Sequence, residues 1–142
     1  MIANTSSVLA LDVGTVRIGV ALADTVARLP RPLLTLPNDD HFMTRLHQII
    51  IDEAVSALVI GLPRSLNGND TDQTRLVREF VDSWQASVNL PINYQDEALS
   101  SARAKEELLA RGKPYQKGDV DALAATFILD DYFLHSAITE AA

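Results

Sequence analysis

The 142-residue sequence contains no cysteine. That absence removes disulfides, thiolate zinc sites and cysteine nucleophiles together. Its three histidines, at positions 41, 47 and 135, fall on predicted helices away from the strand ends. There, surface or partly packed imidazoles are expected. No run of about eighteen uncharged apolar residues occurs, so no membrane span is expected. The opening "MIANTSS" has no basic stretch leading into an apolar run and a small-residue cleavage site, so no secretory signal is expected either. There is no G-x-x-x-x-G-K-[ST] phosphate loop, and no repeat or low-complexity segment. Basic residues are the scarce charge: 12 Lys and Arg stand against 19 Asp and Glu, for a net charge of −7. Taken alone, that balance argues against a non-specific nucleic-acid binder. The expectation is one cytoplasmic domain over residues 1–136, with a flexible tail over 137–142.

What the sequence does contain begins with "VLALDVGTVRIGV", residues 8–20. A carboxylate, Asp12, sits inside a run suited to a strand buried on both faces. An unpaired buried carboxylate would normally take up a proton, so Asp12 needs a cation, a donor or a metal. The link Gly14–Val16 is too short for a parallel return, so "RIGVALAD" must form an antiparallel hairpin with the first strand. "RLPRPLLTLP" reads as a third, edge strand.

Strands and helices then alternate. Asp39 or Asp40 can cap a helix with Phe42, Leu46, Ile49 and Ile50 on one side. "ALVIGLP" is a short buried strand, and "RSLNGND" a polar, mobile loop. Asp70 or Thr71 opens a second helix with the stripe Leu76, Val77, Phe80, Val81 and Trp84. "LPINYQDE" is a strand, and "SSARAKEELLARGKP" a helix stopped by Gly112 and Pro114. "DVDALAATFILDDYFLHS" is a last helix, apolar nearly all round. The order β-β-β-α-β-α-β-α-α predicts an α/β fold, a mixed five-stranded sheet flanked by helices. Ligands in such sheets sit beyond the carboxyl ends of central strands.

Three acids are placed to share that crevice: Asp12 from the first strand, Glu97 from the last, and Asp121 from the opening turn of the last helix. Singly, each has an ordinary structural reading. Together they would repel one another, and at least one would be protonated at neutral pH. A pair of Mg²⁺ or Mn²⁺ ions resolves the conflict with oxygen ligands alone. Two such ions can activate a water and stabilise the leaving oxygen of a phosphodiester.

"LALDVGTVRIGVALAD", "LVIGLP", "QDEALSS" and "VDALAATFIL" resemble, in that order, the blocks of the YqgF/RuvX family over nearly the whole chain. The resemblance implies a ribonuclease H-like fold and a metal-dependent nuclease that matures the 5′ end of precursor 16S ribosomal RNA. The family is also described, by analogy with resolvases of the same fold, as cutting Holliday junctions. Carried across by position, the family's catalytic and metal-binding acids fall on Asp12, Glu97 and Asp121. Two departures concern substrate grip: Ala98 stands where the family usually has arginine, and Ser65 and Asn69 flank Asn67-Gly68 in the loop. Arg17, Arg64, Asn67, Arg103 and Lys117 are the expected substrate-binding residues. Between Arg103 and Lys117 five basic residues stand against two acids. The implied partners are precursor ribosomal RNA, branched DNA and ribosomal particles, with no membrane, for a monomer or a dimer. Two other readings stay open. One is a non-catalytic RNA- or ribosome-associated module. The other is an actin-like or sugar-kinase ATPase, whose phosphate loop resembles the first block but which needs two such domains.

Overall fold

The structure, a computed structural model, describes residues 6–97 and 100–141. Strands β1 (Ser7–Val13) and β2 (Arg17–Asp24) form an antiparallel hairpin that pairs Asp12 with Gly19. Gly14 N donates to Arg17 O at 2.9 Å and closes the turn. Strand β3 (Arg31–Pro37) pairs antiparallel with β2 and forms one edge, with Pro32 and Pro37 near its ends. Strand β4 (Val55–Pro63) runs parallel to β1, and β5 (Ile92–Glu97) parallel to β4. The order β3-β2-β1-β4-β5 brings the carboxyl ends of β1, β4 and β5 to one side. Helices α1 (Phe42–Asp52) and α2 (Asp72–Trp84) make the crossovers that parallel pairing requires. The expected mixed five-stranded α/β sheet with its leading hairpin is the fold observed.

Strand alternation sorts the core into two layers. Leu9, Leu11, Ile18, Val20 and Leu22 face α1 and α2, where they meet Phe42, Leu46, Val77, Val81 and Trp84. Phe42, Phe80 and Trp84 form an aromatic cluster with centroids 5.4–6.2 Å apart. The other face carries smaller side chains: Val8, Ala10, Ala21, Ala23 and Val59 lie under Ala125, Ile128 and Leu129 of helix α4 (Lys117–Ala141). Helix α3 (Ser100–Ala110) ends before Gly112, whose φ is +68°, and packs beside α4 through Ala104, Leu108, Val120, Leu123 and Ala124. No helix among the described residues is long and apolar enough to cross a membrane.

Several local expectations change. Helix α1 starts after His41, with no side-chain cap. Asp39 Oδ1 instead accepts from His41 N at 2.9 Å, so the acid shapes the preceding turn. Thr71 does cap α2, through a reciprocal box with Thr74. Leu76 lies outside the stripe at 50% exposure, because Val77, Val81 and Trp84 already define the buried side. Arg64 and Asp70 bridge across the base of the loop between them. Helix α4 begins at Lys117, which puts Asp121 in its second turn and leaves Asp119 in the first. Its helical backbone continues through Ala141, over the segment expected to be a tail.

A Cβ at Gly19 would lie 2.0 Å from Asp121 O, and no rotation of a side chain relieves a clash with backbone. Gly19→Ala is expected to cost at least about 1–3 kcal/mol through overpacking. The measurement is a denaturant melt against wild type. An unchanged midpoint would mean that α4 does not lie against β2 as described.

Candidate active site

Asp12 stands at the carboxyl end of β1 on the same face as Val8 and Ala10, towards α4. Glu97 is the last residue of β5, opposite Pro63 of β4. Asp121 is held over the hairpin because α4 rests on the bare backbone at Gly19, the residue paired with Asp12. Gly61 makes a similar opening, since a Cβ there would meet Ile128 Cδ1 at 2.4 Å and Glu97 Cδ at 3.2 Å. The two glycines are the site residues that motif reading passed over. Their signal was there: glycine inside a strand marks close approach of another backbone or ligand.

Burial raises the carboxyl of Asp12 well above its ordinary value of 3.8, and the charges of Glu97 and Asp121 push it further the same way. A hydrogen bond with Glu97 adds to the shift. Asp121 is balanced differently, by Arg17 Nε at 2.8 Å from its Oδ2. The Arg17 guanidinium offsets part of the charge that the three acids bring together.

The convergence is electrostatic rather than a finished coordination shell. Among the described residues, no three acidic or imidazole groups are gathered ready around one ion position. Asp12 and Glu97 are in contact, whereas Asp121 acts on Asp12 through its charge while bonded to Arg17. The donor set still fits a hard divalent cation. Carboxylate oxygens are what Mg²⁺ and Mn²⁺ prefer, and a cation would relieve the burial and repulsion now borne by Asp12.

The expected substrate-binding residues separate into two groups. Arg17, the first residue of β2, is at the acids themselves. Lys117 lies four residues before Asp121 on α4, one turn away along the same side. Arg64 is at the rim: its backbone N donates to Glu97 O at 3.2 Å, and its side chain binds Asp70 and Asp96, each at 3.1 Å. Asn67 is exposed in the turn beyond, where its carbonyl accepts from the Ser65 hydroxyl. Arg103 is committed elsewhere, with its guanidinium 4.4 Å from the Phe127 ring centroid and 3.4 Å from Asp131. Ala98 falls outside the described residues.

Beside the start of α4 runs a groove of about 570 Å³, walled by Pro32–Thr35 of β3 and by Lys113, Tyr115 and Gly118. His135, expected at the surface or partly packed, is exposed on α4, with its Nδ1 3.0 Å from the amide of buried Gln95 on β5.

The RuvX family model, described as Holliday junction resolvase, matches residues 6–135. A protein of Chloroflexus aggregans with the provisional name pre-16S rRNA nuclease is 36% identical over 91% of this chain and 94% of its own. One of Maridesulfovibrio salexigens, with the same provisional name, is 40% identical over 88% of this chain and 96% of its own. Among solved structures, Thermus thermophilus RuvC in complex with a Holliday junction substrate superposes with a TM-score of 0.57 at 16% identity. It covers 92% of this chain and 96% of its own, which supports the fold.

The raised Asp12 value fixes the sign of a stability effect. Its contribution is fully present below pH 3.8, where the unfolded group is also protonated, and is lost as pH rises through the raised folded value. Asp12→Asn removes that loss. In EDTA, the variant is expected to melt above wild type at neutral pH, with the gap closing as pH falls towards 3.8. A wild type that stays the more stable protein at every pH would contradict the buried, repelled carboxyl.

Proposed function

Because the chain belongs to the RuvX family, we propose that it is a divalent-metal-dependent endonuclease acting on precursor 16S ribosomal RNA at its 5′ end. The observation that carries this reading is the convergence of Asp12, Glu97 and Asp121 on one side of the sheet, where the charges of Glu97 and Asp121 act on Asp12. The provisional name shared by its relatives supplies the substrate.

Asp12, Glu97 and Asp121 would hold Mg²⁺ or Mn²⁺ with their carboxylate oxygens. When bound, the metal supplies an activated water and charge stabilisation for the leaving oxygen of a phosphodiester. The chain's own residues do the rest. The sheet fixes Asp12 and Glu97 at the carboxyl ends of β1 and β5, on either side of β4, so little backbone freedom is lost on loading. Apolar packing of Ala10, Ala125 and Ile128 beneath the acids keeps water from that side. Arg17 and Lys117 present positive charge next to the acids, where a phosphate would approach. Arg64 and Asn67 border the crevice beyond β4, and the groove with Lys113 and Tyr115 offers a neighbouring path for the strand. Arg103 contributes through the α3–α4 interface rather than by gripping substrate. The protein would work in the cytoplasm, on free precursor or ribosomal particles.

Asp12→Asn, Glu97→Gln and Asp121→Asn are each expected to keep the fold and lose at least about 100-fold in cleavage rate. The assay incubates wild type and variants with a precursor 16S fragment and, in parallel, a four-way DNA junction in Mn²⁺. Cutting of the RNA by wild type alone supports the proposal. Symmetric cutting of the junction alone would make the chain a resolvase, and RNA binding without cutting would make it a binding module.

A further inference from the structure

Arg17 is bonded to one of the residues assigned to metal. Its Nε donates to Asp121 Oδ2 at 2.8 Å, with side-chain exposures of 38% and 20%. The pair is thus open to solvent on the arginine side and sheltered on the aspartate side. Only Nε is used: among the described residues, the two terminal nitrogens of Arg17 make no hydrogen bond. A guanidinium with a free fork is a ready partner for phosphate oxygens.

The backbone beneath Arg17 is tied down. Gly14 N donates to Arg17 O at 2.9 Å, Asn38 N to Val16 O at 2.9 Å, and Asn38 Nδ2 to Gly14 O at 2.8 Å. Any rearrangement therefore belongs to the side chain. Asp121, by contrast, rides on a helix pressed against Gly19 and has little room to move.

A divalent ion and the Arg17 guanidinium want the same carboxylate. Both cannot sit at full strength on Asp121, because two positive charges would then share one acid at close range. We propose that Arg17 is a built-in competitor of the divalent ion, holding Asp121 until a substrate phosphate draws its guanidinium away. The inference rests on the nuclease reading and adds a regulation to it. Metal and nucleic acid then bind cooperatively. Linkage makes the coupling reciprocal, so RNA must tighten metal binding by the factor with which metal tightens RNA binding. In the absence of RNA the site is held below its full metal affinity by its own arginine.

The test is Mn²⁺ binding, measured by calorimetry or by the spin resonance of free Mn²⁺, with and without a phosphorothioate RNA that resists cleavage. The proteins are wild type, Arg17→Gln, Arg17→Met and Arg17→Lys. Without RNA, the two neutral variants are expected to bind Mn²⁺ roughly three- to tenfold more tightly than wild type, as loss of one partly exposed ion pair allows. Arg17→Lys keeps a competing cation and stays near wild type. RNA tightens Mn²⁺ binding to wild type and does so much less for the neutral variants. Equal or weaker Mn²⁺ binding by the neutral variants overturns the proposal, as does their failure to fold, which would make Arg17 structural. If no protein in the set binds Mn²⁺, the metal-dependent reading itself falls and the arginine proposal with it. Equal binding by all of them removes only the role of Arg17.

Discussion

Gly19 has no side chain, and the second turn of α4 occupies the space a side chain would need. That close approach sets where Asp121 can be, because its own carbonyl is the atom against the glycine. Gly19 is also the hairpin partner of Asp12, so the acid of the helix and the acid of the strand are positioned by one contact. Ala10, Ala21 and Ala23 extend the same low surface along the sheet, while larger residues fill the opposite face under α1 and α2. The two faces do different work. One is a deep apolar core with an aromatic cluster, and the other is a flat bed that lets a long helix lie close enough to bring chemistry to a strand end.

The chemistry is bought with stability. Three carboxylates from β1, β5 and α4 act on one another in a place that burial makes unfavourable for charge. The Arg17 guanidinium on Asp121 offsets part of that cost. Its terminal nitrogens leave it an alternative partner in any phosphate.

Much of this was legible in the residues. The three-residue link after "VLALDV" forced a hairpin, and the alternation that followed forced parallel crossovers. Asp12 was conspicuous as a charge in a buried run, and Glu97 and Asp121 followed from the strand order and the family blocks. What escaped were facts set by angles and competition between partners. Asp39 turns back on the chain before α1 instead of capping it, since its oxygen reaches His41 N first. Helix α4 starts earlier than its apolar stretch, so Asp121 is not at the dipole-favoured first turn. Arg103 is expected from the sequence to bind substrate, whereas in the fold Phe127 and Asp131 take up its guanidinium. The two glycines were visible in the sequence, but their purpose needed the helix that lies over them.

The central claim is that Asp12, Glu97 and Asp121 serve one divalent-cation site. Anomalous diffraction from crystals of the protein grown with Mn²⁺ addresses it directly. The account predicts manganese density bounded by the carboxylates of these three residues. Manganese bound elsewhere, with the Asp12–Glu97 contact and the Arg17–Asp121 pair intact, would contradict it.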